Sequence, residues 1–548
     1  MAKTVLSFQQ QIEGFPWSQI FVISCVRFAE PIAFTSLFPY VYFMVRDFGV
    51  ADTEAEVSKY SGYLSSVFAF SQVLTSFNWG KFADKHGRKP TLLIGLTGSI
   101  CSLLLLGFAK NYYWALAARS IMGLLNGNVA VIRTMIGEVA LERRHQAIAF
   151  STMPLIFQIG CVIGPLIGGY LSGNTTRFTI LKPLVEKYPY ALPNLFISSL
   201  LFAGIVIAIF FLEETHYKHK YRHDYFVDIG DFIKIHVFGV TPKTRHWHLD
   251  RLSSSRGRED GTEDAIDEEE QPSETTPLYR PEEQNDSDDS IQSVGPVLTR
   301  RESVALIRTY SLHEPEDEEE GAGSIRALLE PHIFYAVVCN FIMSLHVTVH
   351  DEFLPIYLAY DVARDKAGQL VSKFPWRLVG GLGYTSEDTG TLLSSTGVLG
   401  VFFLVVVFPY VDRNYDSLTT YKSFILLFPV IYTLIPYIVL LANHLKVARI
   451  AIYTMTCLKT LGTSMSFPQI LLIVHNSSPP KHRAMINGAT ISVSALARCV
   501  GPFIWGFFMS WAQTYQIGWL GWWSVSALTL LAIYMSSYLR NENGEDDE

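Results

Sequence analysis

The feature that most constrains this chain is the recurrence of uninterrupted apolar runs about 20 residues long, the length at which a helix crosses the hydrocarbon core of a bilayer. Broken at charged residues and at Gly, Pro and Asn clusters, the sequence yields runs at residues 18–45, 59–80, 90–109, 112–136, 147–172 and 190–213, and again at 331–360, 387–411, 421–443, 447–475, 484–512 and 517–539. A soluble chain of 548 residues would instead divide into domains of amphipathic helices and alternating strands. The reading is an all-α membrane protein of twelve spanning helices in two sets of six. The first run is too long, and lacks the small-residue cleavage site, for a secretory signal, so it is expected to remain as the first span.

Composition agrees where it bears on the solvent. Hydrophobic residues make up 49% of the chain and charged residues 17%, and mean hydropathy is +0.23 despite a long polar stretch. The net charge of −8 belongs largely to that stretch, whose densest acidic runs are Asp267 to Glu270 and Glu314 to Glu320. Residues 214–330 lack the apolar surface needed to offset chain entropy, so they are expected to form a disordered acidic connector with short helices only at its edges. The expected organisation is a tail at 1–17, a bundle at 18–213, the connector at 214–330, a second bundle at 331–539 and an acidic tail at 540–548. All six cysteines fall in apolar runs and read as small buried hydrophobes.

The two sets carry an internal repeat. His145 to Ala147 is followed by Gly164-Pro165 and Gly169, and His482 to Ala484 is followed at the same offsets by Gly501-Pro502 and Gly506. Duplicated halves with a site between them near the midplane are a common transporter plan. Lys81, Lys85, Arg88 and Lys89 share one short loop, Arg143 and Arg144 the next on that side, and Lys218, Lys220 and Arg222 follow the sixth run. The positive-inside rule places these loops, both termini and the connector in the cytosol.

Between the second and third runs stands Trp79-Gly80-Lys81-Phe82-Ala83-Asp84-Lys85-His86-Gly87-Arg88-Lys89-Pro90. Gly80 and Gly87 are expected to allow a tight turn, and Asp84 to face a helix N-terminus. This loop resembles the G-x-L-A-D-[RK]-x-G-R-[KR] signature of the major facilitator superfamily. Gly160 to Gly169 resembles the G-x-x-x-G-P-x-x-G-G signature of its antiporter members, with Gly160, Gly164, Pro165, Gly168 and Gly169 in place, and Arg119 resembles the family's intramembrane arginine. The overall likeness is greatest to the twelve-spanner drug:proton antiporters, and among them to zinc-induced-facilitator-like transporters. The resemblance implies a secondary transporter and no enzyme, with Gly80, Asp84, Gly87 and Arg88 as a conformational latch and Asp84 meeting the eleventh span near Arg483-Ala484.

Ionisable side chains inside a span are costly unless paired or hydrated, so each is a functional candidate. The chain offers Arg27, Glu30, Arg119, His346, His350, Asp351, Glu352, Lys459 and Arg498. Proton-driven exchange needs a carboxylate neutralised alternately by a proton and by another cation; Glu30 and Asp351 lead, with a permanent Arg27–Glu30 ion pair as the structural alternative. His346 and His350 have the four-residue spacing of a metal pair, but wet-cavity histidines look the same and no metal or other cofactor is assigned.

The expected activity is export of a small organic solute, drug or metal chelate from the cytosol in exchange for protons; a uniporter, an importer or a non-transporting receptor are the alternatives. Glu302 to Ile307 fits an acidic-dileucine sorting signal, and Arg300 to Ser303 a basophilic kinase site, which favours a vacuolar or endomembrane address over the plasma membrane and sorting adaptors or kinases as partners. The other expected partners are lipid, protons and the solute. A monomer is expected, and no nucleic-acid partner.

Overall fold

The computed structural model describes residues 13–140, 142–173, 182–239, 329–479 and 483–539. Among these the chain is helical, and its β-structure is limited to isolated bridges at Arg364–Leu370, Lys373–Arg377 and Leu378–Ile517. The first half contains α1 (Trp17–Thr35), α2 (Val41–Asp47), α3 (Val57–His86), α4 (Arg88–Gly107), α5 (Tyr112–Leu124), α6 (Asn128–Val139), α7 (Arg143–Leu171), α8 (Lys182–Lys187), α9 (Ala191–Phe211) and α10 (Tyr225–Phe238). In the second half, α11 (Pro331–Ala359) is followed by α12 (Ser386–Phe402), which continues through a π turn at Phe403–Val407 into α13 (Phe408–Asn414). Then come α14 (Ser417–Ile425), α15 (Leu427–Leu434) with a 3-10 segment at Ile435–Leu441, α16 (Leu445–Asn476), α17 (Arg483–Thr514) and α18 (Trp519–Ser536).

All twelve expected runs fall on helix. Among the described residues, ten helical stretches are long and apolar enough to cross a membrane. The other two runs are α1 and α3, where Arg27 and Glu30, or a series of serines and lysines, dilute the apolar residues. The connector is not shapeless throughout: α10 forms at its edge, capped by Asp224, whose carboxylate accepts from the Phe226 amide at 3.1 Å. A Lys89–Asp224 ion pair of 2.7 Å ties that cap to the start of α4. The sorting and kinase motifs near 300–307 lie outside the described residues.

The fourth span departs from one continuous helix. It breaks between α5 and α6 at Leu125-Asn126-Gly127. Freed carbonyls in a membrane helix need outside donors, and α3 supplies them: Trp79 Nε1 donates to Leu124 O at 2.8 Å and Gln72 Nε2 to Asn126 O at 3.4 Å. Trp79 also covers Gly127, where any Cβ would collide with its ring.

Small residues set the helix crossings. Gly160, Gly164 and Gly168 share one face of α7, and a Cβ on any of them would meet α1 or the turn after it, at Pro31, Thr35 and Ser36. Thr35 Oγ1 donates to Gly160 O at 3.0 Å. Gly169 points the other way, against Gly390 of α12. The repeat reproduces this pattern: Gly501 faces Leu345 and Val349 of α11, and Gly506 lies against Ser58, Lys59 and Gly62 of α3. The duplicated glycines therefore make equivalent joints, one within each half and one between halves.

Both inter-half joints lie at the end of the bundle remote from residues 81–90. There Ser58 and Tyr360 share a hydrogen bond of 2.6 Å, the Asp361 amide donates to Glu54 Oε1 at 2.9 Å, and Tyr170 and Thr391 hydroxyls meet at 3.1 Å. Tyr42, Val45, Val57 and Leu64 of the first half share a buried core with Phe353, Tyr357, Trp505 and Met509 of the second. A second core, which includes Ile132, Met135 and Leu201, stays within the first half. At the end carrying residues 81–90, Arg88 and Lys89 bond to Asp84, Glu138 and Glu214 of the first half, and Gln469 bonds to Asp412 of the second. The halves are closed at the far end.

Candidate functional site

At the basic end, Gly87 alone makes the turn, at φ 102°. Gly80, expected to share it, lies inside α3, and a Cβ there would meet nothing within 4 Å. Asp84 accepts from Arg88 Nη1 at 2.6 Å, and Glu138 of α6 takes the same guanidinium at 3.1 Å. The acid seated on a helix N-terminus is Glu214, which accepts from the Arg88 and Lys89 amides at 2.9 and 3.1 Å. Asp84 itself sits on the last turn of α3, and its near cation is Arg88. The side chains of Arg483 and Ala484 lie outside the described residues. Glu138 and Glu214 were missed in the sequence, although Glu213-Glu214 at the end of the sixth run was visible.

Within the spans, the candidate ionisable residues assemble into three groups. Arg27 and Glu30, one turn apart on α1, form a buried ion pair through Nη1 and Oε2, and Glu30 Oε1 has no hydrogen-bond partner. On the second half, Lys459 of α16 reaches Asp351 of α11 through Nζ and Oδ1, and His350 Nδ1 lies 3.1 Å from the same oxygen. Asp351 keeps 40% of its side chain exposed at a position well inside α11, yet protein surrounds it. That combination marks a side chain lining an internal, solvent-reachable space.

The third group joins the halves. Glu352 of α11 is buried beside Ser65 of α3 and interacts electrostatically with Arg119 of α5. The Arg119 guanidinium stacks over Phe68 at 4.7 Å and reaches Met122 Sδ at 3.6 Å. Arg119 Nε and Glu352 Oε2 have no hydrogen-bond partner. A buried cation and a buried carboxylate, each incompletely satisfied, therefore lie on either side of the boundary between halves, within electrostatic reach but not in an ion pair. Both residues were candidates from sequence, but their proximity was not visible because they lie 233 positions apart.

The two α11 histidines are each engaged through Nδ1, and the buried Nε2 of each has no hydrogen-bond partner. His346 Nδ1 is 2.9 Å from the Tyr432 hydroxyl, His350 turns to Asp351, and no cluster of three or more metal-ligating side chains occurs among the described residues. Arg498 of α17 is half-buried and interacts with Arg27. Arg133 of α6 was missed, and it too interacts with Arg27. A signal existed, since Arg133 lies 14 residues beyond Arg119 in the same run, close to four helical turns. A recess of about 510 Å³ is an apolar groove between α7 and α9 lined by Leu166, Tyr170, Leu192 and Phe196, and it contains none of these charged groups.

Residues 23–502 match the family model described as Major Facilitator Superfamily. A major facilitator superfamily multidrug transporter of Aspergillus fumigatus is 31% identical over 540 residues, covering 97% of this chain and 85% of that protein. The Arabidopsis thaliana protein zinc induced facilitator 1 is 24% identical over 517 residues, covering 93% and 87%. Among solved structures, a D-xylose-proton symporter superposes with a TM-score of 0.58 at 11% identity, covering 96% of this chain and 98% of that one.

Proposed function

As a member of the major facilitator superfamily, this chain is a multi-pass membrane transporter and not an enzyme, and we propose that it exports a small organic solute from the cytosol in exchange for protons. Multidrug efflux relatives support the direction. The observation that carries the exchange reading is the buried, incompletely satisfied Glu352 carboxylate at the boundary between the halves, within electrostatic reach of the buried Arg119.

Charge on Glu352 attracts Arg119 and helps hold the halves in the far-closed state. A proton on Glu352 removes that attraction and leaves Arg119 buried without its counter-charge, a condition relieved by opening or by a substrate group. Proton occupancy is thereby linked to which end is open, since a ligand shifts conformations only through its differential interaction with them. Asp351 is held by both Lys459 and His350 and Glu30 by Arg27 in ion pairs, whereas Glu352 has a free oxygen and only the longer-range charge of Arg119. Glu352 is accordingly the first candidate proton site, with Glu30 and Asp351 behind it.

The basic loop residues favour cytosolic termini. With that orientation the far-closed state is open toward the cytosol, ready to load substrate. The linker motifs favour a vacuolar or endomembrane address, where export from the cytosol is sequestration.

The test is flux of a dye panel that includes fluorescein and ethidium in proteoliposomes under an imposed pH gradient. Gradient-driven flux in the native protein, uncoupled from the gradient in Glu352→Gln, is expected. Flux indifferent to the gradient in the native protein would favour a uniporter. Gradient-driven flux retained in Glu352→Gln, Asp351→Asn and Glu30→Gln alike would remove the carboxylate assignment.

A further inference from the structure

Away from their ends, the spanning helices carry five cations, Arg27, Arg119, Arg133, Lys459 and Arg498, against three carboxylates, Glu30, Asp351 and Glu352. Glu30 is taken by Arg27 and Asp351 by Lys459, and the charge nearest in effect to Glu352 is Arg119 across the boundary. Arg133 and Arg498 have no carboxylate partner among the described residues, and the charge each interacts with is the like charge of Arg27.

The three arginines come from α1, α6 and α17, so both halves contribute. Counted from the helix ends at the basic side, Arg133, Arg27 and Arg498 sit at depths of about 9, 15 and 22 Å. Arg133 is exposed and Arg498 half-exposed to solvent, yet both are largely surrounded by protein. Side chains that keep solvent exposure while protein surrounds them border a solvent-reachable recess, here one to which helices of both halves contribute.

An intramembrane arginine without a counter-charge is disfavoured unless water or an anion meets it. Two such arginines without a counter-charge, one from each half, make a poor site for an organic cation. They make a good one for carboxylate, sulfonate or phosphate, which guanidinium groups bind through paired hydrogen bonds. We infer that this inter-half space selects organic anions, with Arg133 drawing them in at the mouth and Arg498 holding them deeper, beside the Arg27–Glu30 pair. This rests on the reading of the space between the halves as the transport path.

Two measurements test it. In a variant with the six native cysteines replaced and Ala495→Cys added one turn from Arg498, reaction rates are compared for an anionic (sulfonatoethyl) and a cationic (trimethylammonioethyl) methanethiosulfonate. The anionic reagent is expected to be favoured relative to a free thiol, with the preference falling about tenfold when Arg133→Gln and Arg498→Gln are added; a ratio equal to that of the free thiol overturns the inference.

In proteoliposomes, the native protein is expected to move fluorescein and not ethidium. Arg498→Gln is expected to lose fluorescein flux about tenfold and Arg498→Lys to retain part of it, with unchanged melting and gel-filtration profiles as the folding control. Ethidium flux without fluorescein flux overturns the anion class and leaves transport standing. Flux of neither dye overturns both readings, and undiminished fluorescein flux in Arg498→Gln overturns the role of the arginines.

Discussion

Substituting Gly390 by Ala should pry open the far-end closure. A Cβ at Gly390 would sit 2.5 Å from Pro165 O and 3.0 Å from the Gly169 Cα, all backbone across the α7–α12 joint. No side chain there can rotate away, and carbon contacts rest near about 3.5 Å, so the two helices must separate by roughly 1 Å. Overpacking of this kind costs about 1–3 kcal/mol. Because the clash exists only where the halves touch, that cost falls on the far-closed state and shifts its ratio to the far-open state by roughly 5- to 140-fold.

The assay is labelling of Ser394→Cys by an impermeant maleimide applied from the far side. Ser394 lies one turn deeper on the same face of α12 and is only 7% exposed. Faster labelling is expected in Gly390→Ala. Gly397→Ala should have a smaller effect, since its nearest neighbours would be Val162 Cγ2 at 3.1 Å and Cys161 O at 3.2 Å, and Gly80→Ala should have none. Equal labelling in all three variants would refute the argument that this glycine joint holds the halves together.

Removing the charge of Asp351 strands Lys459, whose side chain is 6% exposed. The usual penalty for a broken buried pair is softened by the 40% exposure of Asp351, so Asp351→Asn should lose about 1–3 kcal/mol in denaturant or thermal unfolding in detergent. Asp351→Asn combined with Lys459→Met should recover most of that loss; no recovery would show that the pair is not what stabilises this site. Glu214→Gln keeps the shape but removes the negative charge from the α4 N-terminus, and should lower stability by about 0.3–1 kcal/mol, less at high salt. A loss unaffected by salt would mean that the hydrogen bonds to Arg88 and Lys89, not the charge, matter there.

The sequence by itself determined the solvent, the helix count, the duplication and the family, because these are properties of contiguous residues. A run of 20 apolar residues, or Gly160 to Gly169 on one helix, encodes its own environment in its spacing. It also fixed Arg27 with Glu30, three positions apart and so one turn apart on any helix. Tertiary structure decided which separate segments share those environments. Only packing could bring Arg119 to Glu352, Lys459 to Asp351 and Glu214 to the start of α4, because each pair joins helices whose spacing in sequence says nothing of their spacing in the bundle. The duplicated glycines show the same division: their offsets are legible at 164, 169, 501 and 506, but that Gly169 meets Gly390 and Gly506 meets Gly62, closing one end of the molecule, follows from where the helices cross. Helix period is local physics, whereas crossing points are settled by the simultaneous packing of all the spans.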